Sequence, residues 1–285
     1  MSSIVSEKRN VVPALQLKEC VSTDLTGICL LLHSWSPLDR HARLGNRMGM
    51  GLSVGFLADL KESDEEGYAF FSLAFRDLDE ILRTHGLDGH VEPDVLEEEE
   101  FFSCDMLGYS GIHYLRRIAA NLALGRPIPG PGSPETSCGT LPELEEYAER
   151  FESGENLQYQ HLIMHSDAEG FYVPIDFERV IATPTLDLSG GWVGSTTRLR
   201  AECLELASLL DMPVTMELDA RELQTAIRHQ LHPGRLWPGR LWRGWPWSRK
   251  VVPPWMKYAV ETYSCLGLLS GCEASLQTRA ALVFG

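Results

Sequence analysis

The 285-residue chain is 44% hydrophobic and 23% charged, with a formal net charge of -15. That is enough apolar material for one large core or two modest ones, and the composition is not that of a disordered chain. Such an acidic surface repels nucleic-acid phosphates and anionic lipid heads, which disfavours both as partners, and suits a basic protein partner.

Residues 1–10 are polar and the first apolar run, residues 28–32, is short, so no secretory signal is expected and the location expected is cytoplasmic. Residues 41–60 are expected to form a helix weakened by Gly45, Gly49, Gly51 and Gly55. A turn over residues 64–67 leads to a helix over 68–85, where Phe71, Phe75, Leu78 and Leu82 share one face and Gly86 stops the chain of helical bonds. The four carboxylates of residues 97–100 are expected to be a solvated helix start rather than a cation site. The clearest helix covers residues 109–124, with Ile112, Leu115, Ile118, Ala119 and Leu122 as its buried stripe.

A Pro, Gly and Ser-rich link follows at residues 131–142. It divides the chain into an N-terminal helical region, residues 1–130, and a C-terminal α+β region, residues 143–285; the two can still form one domain. Helices are expected over 141–152, 155–164, 195–210 (capped by Ser195), 219–229 (capped by Asp219) and 255–278. Strands are expected near residues 28–32, 171–173 and 282–284. The fold class is therefore α+β, predominantly helical with a few short strands. Strands and helices do not alternate, which argues against a doubly wound sheet. The seven cysteines include no C-x-x-C pair and fit reduced thiols; Cys265 and Cys272 fall on one helix face as small buried residues.

One segment stands apart. The pentad Pro-Gly-Arg-Leu-Trp occurs twice from Pro233, and residues 228–257 hold seven basic side chains and no acidic one, which leaves -22 on the rest of the chain. Trp237, Arg240, Trp242, Arg243, Trp245 and Trp247 are candidate partner-binding residues, since Trp and Arg dominate interface hot spots. Stacking on single-stranded bases and lying at a membrane interface are the minor readings; the prolines and glycines forbid a regular amphipathic helix. The plainest reading is a loop folded back on the acidic body.

The chemistry-bearing candidates cluster around residues 161–169. His161 and His165, four apart on one helix face, with Asp167 next to them, have the ligand types of a zinc site with an open position for water. The H-E-x-x-H pattern is absent, however, because Leu162, Ile163 and Met164 separate the histidines. A structural role is favoured, with Ser166 and Asp167 capping a turn; Glu169, Trp192 and Ser195 are further turn or ligand candidates. The glycines of residues 190–194 before a helix start could cradle an anion, but the P-loop lysine and the dinucleotide spacing are missing. No catalytic motif is complete, and no cofactor is expected beyond that alternative zinc.

The stretch H-S-D-A-E-G-F-Y-V-P-I-D-F from His165, G-S-T-T-R-L from Gly194 and S-L-Q-T-R-A-A-L-V-F from Ser275 resembles uncharacterised bacterial cytoplasmic proteins that carry an H-S-D-x-x-G-Y-Y-x-P segment. Some of these resemble immunity proteins encoded beside toxins. The resemblance and the charge imply an acidic protein-binding protein, immunity or regulatory, that masks a basic partner. The alternative is a metal-dependent hydrolase using His161, His165 and Asp167.

Overall fold

The structure, a computed structural model, describes residues 51–134 (without the Tyr109 side chain), 141–165, 170–183, 191–232 and 252–284. It is helix-rich α+β. Six short strands form one mixed sheet in the order β2-β1-β6-β3-β5-β4. These are β1 (Gly51–Val54), β2 (Phe102–Asp105), β3 (Gly170–Val173), β4 (Ile181–Ala182), β5 (Trp192–Ser195) and β6 (Leu282–Phe284). Only the β3–β5 pair is parallel.

Side chains alternate across this sheet as the two-residue period of a strand requires. Leu52, Val54, Tyr172, Leu282 and Phe284 face a thick helical layer. Phe171, Val173, Val193 and Val283 face a thin one. The thin layer is α1 (Phe56–Ser63) and α2 (Glu65–Thr84). The thick one contains α3 (Gly108–Ala123), α4 (Pro142–Glu152), α5 (Gln160–Ile163), α6 (Thr196–Leu209), α7 (Arg221–Leu231), α8 (Pro254–Lys257) and α9 (Ala259–Thr278). The nearly all-buried α9 is its axis and packs on α3, α6 and α7. This core draws residues from both sides of the Pro/Gly-rich link, as Leu115 and Leu206 show.

Several sequence expectations change. Residues 51–54 form β1 instead of continuing a helix, because Leu52 and Val54 find apolar partners across the sheet while Gly55, at φ 86°, turns the chain into α1. The helix expected over 155–164 shrinks to the four residues of α5. Asp219 does not cap α7, whose N-cap is Ala220. The last long helix breaks at Tyr258 into α8 and α9. Cys265 and Cys272 are buried free thiols as expected. Residues 28–32 lie outside the described residues.

Candidate acidic interface

The helix-forming pattern of α2 explains how the thin layer is held. Phe75, Leu78 and Leu82 recur at helical spacing and are buried against the sheet, Phe75 meeting Phe171 edge-on at 5.0 Å between ring centres. Burying each such side chain contributes roughly 1.5–3 kcal/mol, an upper range given a compact unfolded state. Asp64 caps the helix, its carboxylate accepting the Gly67 N–H at 3.0 Å, and Glu65 and Glu66 sit where the helix dipole favours negative charge.

The other face of this layer is acidic. Residues 59–105 hold sixteen carboxylates and three basic side chains, a net -13. That is more than half the -22 of the chain outside the basic insertion. Each of the three cations is taken up within the layer. Lys61 pairs with Asp94 at 2.7 Å, Arg83 with Asp79 at 3.0 Å, and Arg76 lies 3.8 Å from Asp77. The Lys61 ammonium, with the Tyr68 hydroxyl, holds the Asp94 carboxyl below its ordinary range. Eleven of the carboxylates are exposed, among them Glu62, Glu65, Glu66, Asp77, Glu80 and Asp88.

The loop after α2 belongs to the same surface and is pinned from beneath. Glu92 is buried, accepts from His90 at 2.7 Å, and accepts the Ala281 N–H beside β6 at 2.8 Å. Burial raises its carboxyl above the usual range. Asp94 accepts from Tyr68 of α2. The run at residues 97–100 is a short 3-10 turn, Glu98–Glu100, with Glu98 and Glu99 exposed. It is a solvated turn, close to the solvated helix start expected for it. The carboxylates of α4 differ, since Arg117 pairs with Glu143, Arg126 with Glu146 and Arg150 with Glu155 just beyond the helix.

The residues around α5 form a polar clamp. The Glu202 carboxylate accepts the backbone N–H groups of His161 and Leu162. At the other end Arg116 donates to the carbonyls of Leu162 and His165, both at 2.7 Å. A four-residue helix is thus capped at both ends, by the Glu202 carboxyl oxygens at its N-terminus and by a cation at its C-terminus. His161 is buried, with Nδ1 accepting the Ser195 N–H at 3.0 Å and Nε2 directed at the Glu178 carbonyl. Burial lowers its pKa to about 4. His165 lies outside α5, stacks on Tyr172 and approaches the Phe171 carbonyl through Nε2. The two rings therefore have separate partners. No three His, Cys, Asp or Glu side chains among the described residues are grouped to hold a metal ion. Asp167 lies outside the described residues, with Ser166 and Glu169.

Ser195 is the N-cap of α6, its hydroxyl accepting the Arg198 N–H at 3.3 Å. The stretch expected to cradle an anion is mostly strand β5, and Trp192 packs edge-on against Phe151. Trp237, Arg240, Trp242, Arg243, Trp245 and Trp247 lie outside the described residues. Among these, no helix is long and apolar enough to cross a membrane.

A family profile described as "Putative DNA-mimic protein" matches residues 48–284. The chain belongs to that family. The matched span takes in the acidic layer, the sheet and the helical layer of this DNA-mimic family member. No curated protein and no solved structure matches the chain.

Glu202 gives the clamp a measurable signature. Burial outweighs its two N–H donors and raises its pKa to about 8. The folded state keeps the proton that the unfolded chain releases near pH 4.5, so stability falls as pH rises through that interval and levels off above 8. The lowered pKa of His161 acts in the opposite direction, removing stability as pH falls below about 6.5. Between pH 6.5 and 8 the Glu202 contribution amounts to about 2 kcal/mol. Denaturant melts are expected to show a loss larger by that amount in the wild type than in Glu202→Gln; parallel pH profiles of the two proteins would refute the assignment.

Proposed function

We propose that this protein is an acidic binder that masks the DNA-binding surface of a basic protein with the carboxylate layer formed by α1, α2 and the loop to β2. The observation that supports this reading is the -13 carried by residues 59–105, on a layer whose every cation is already paired within it. Duplex DNA carries one negative charge per about 1.7 Å of axis, and its partners are selected for such a field. An acidic surface of this density offers them a competing one, and membership of a DNA-mimic family agrees with that role. The basic, tryptophan-rich stretch of residues 228–257 is a second candidate contact for the same partner. If the masked protein is a nuclease toxin, the role is immunity; if it is a repressor or an architectural protein, the role is regulation.

The test is capture from an extract of the source organism on the immobilised full chain, followed by elution with duplex DNA. A DNA-binding protein is expected to be retained and then displaced by the duplex. Retention of proteins that the duplex leaves in place would overturn the reading.

A further inference from the structure

We infer that the outer face of α2 sets two carboxylate groups on either side of an apolar bridge, and that it is matched to a DNA-binding protein carrying an apolar side chain between two sets of lysines or arginines. This inference rests on the masking function proposed above and specifies its partner.

The sequence of α2 is not uniformly acidic. Asp64, Glu65 and Glu66 crowd its start, and Asp77, Asp79 and Glu80 its second half, but residues 67–76 contain no carboxylate at all. Within that gap the exposed side chains include Phe70 and Leu73, which keep 55% and 51% of their surface in water. They lie three residues apart and so share one face of the helix. Glu66 and Asp77, four residues to either side of the pair, continue the same stripe, and Glu80 extends it. Among the described residues six large apolar side chains are exposed, and four of them, Phe70, Leu73, Val91 and Val95, belong to the acidic layer. A single exposed leucine carries no message; apolar surface concentrated where the charge is densest does.

The spacing is comparable to, and somewhat wider than, a DNA groove. Glu66 and Asp77 are eleven residues apart, about 16 Å along the helix axis. The major groove of B-DNA is about 12 Å wide, with phosphates at its rims and thymine methyl groups among the base edges on its floor. Carboxylates therefore stand where phosphates would be, and Phe70 and Leu73 where a groove-reading protein places its apolar contacts. The charge pattern also decides the occupant. A second copy of this face would oppose carboxylate to carboxylate, which costs affinity. A surface with cations on both sides of an apolar side chain meets every part of the stripe. Charge alone accepts any basic protein and fades with salt; the apolar bridge adds contact that salt does not screen.

The experiment uses the full chain with the photo-crosslinking residue p-benzoylphenylalanine in place of Phe70, or of the exposed Val214 in the helical layer as control, in extract with and without excess duplex DNA. Position 70 is expected to crosslink a DNA-binding protein, the duplex to suppress that crosslink, and position 214 to give none. The crosslinked protein, once purified, is then the probe. Phe70→Ser with Leu73→Ser is expected to weaken its binding at least about tenfold at every salt concentration while leaving the salt dependence unchanged. Glu65→Gln, Glu66→Gln, Asp77→Asn and Glu80→Gln together are expected to flatten the salt dependence instead. Wild-type affinity in the Phe70/Leu73 variant, crosslinks only to a second copy of the chain, or a captured partner that position 70 never touches would overturn the bridge and leave the masking function standing. Capture of no duplex-displaceable protein would remove both.

Discussion

Reversing four exposed charges of the thin layer, Glu65→Lys, Glu66→Lys, Asp77→Lys and Glu80→Lys, is expected to weaken partner binding at least about a hundredfold near physiological salt, because like charges then face one another across the interface. The four changes move residues 59–105 from -13 to -5. The fold should survive them, since all four side chains point to solvent and surface substitutions usually lie within about 0.5 kcal/mol. Losing Glu65 and Glu66 from the first turn costs roughly 0.3–1 kcal/mol each in helix-dipole interaction. The control is a set of reversals in α4, Glu145→Lys, Glu149→Lys and Glu152→Lys, three residues exposed on the opposite, helical layer. Binding titrations should separate the two sets. Equal losses from both would show that total charge matters and the α1–α2 layer does not.

Gly194→Ala is expected to lower stability by about 3 kcal/mol, toward the upper end of what overpacking a core costs. Gly194 lies in β5 beside Tyr172 of β3, and a Cβ at this position would overlap the Tyr172 ring. That ring has nowhere to go. It is fully buried, stacks on His165 with 3.9 Å between ring centres, and its hydroxyl donates to the His161 carbonyl at 2.8 Å. Thermal melting should register the loss as a drop of several degrees. Combining the change with Tyr172→Leu should recover part of it, since residues in contact do not contribute additively. Additive losses in the double variant would mean that the overlap is not the cause.

The helices with a clean apolar stripe were legible in the sequence. Phe75, Leu78 and Leu82 announced α2; Ile112, Leu115 and Ile118 announced α3; Ser195 announced the start of α6. What escaped was mostly sheet. β1, β2 and β5 are four residues each, too short for the alternation of Leu52 and Val54 to stand out from glycine-rich surroundings. The glycines of residues 190–194 suggested an anion cradle, whereas Gly194 makes room for the Tyr172 ring.

His161 and His165 lie near one another in sequence, as metal ligands often do. Both ring nitrogens of His161 are occupied by backbone groups instead. Composition gives the charge as a property of the whole body and not its concentration in residues 59–105. A running charge balance along the chain would have found it. What no local reading of the sequence supplies is that α1 and α2 pack as a layer of their own, because the other face of the sheet is reserved for α9 and its neighbours.

The position of β6 has a consequence for how the molecule is made. It is the last described strand in chain order, yet it lies between β1 and β3 and is the seam joining β2-β1 to β3-β5-β4. During synthesis the two halves of the sheet leave the ribosome long before the strand that joins them. Contacts so distant in sequence close late and slowly. The Ala281 N–H that anchors Glu92 arrives at the same moment. A nascent chain thus carries its carboxylates from early on without the frame that arrays them, and the acidic layer is set in place only once β6 has joined the sheet.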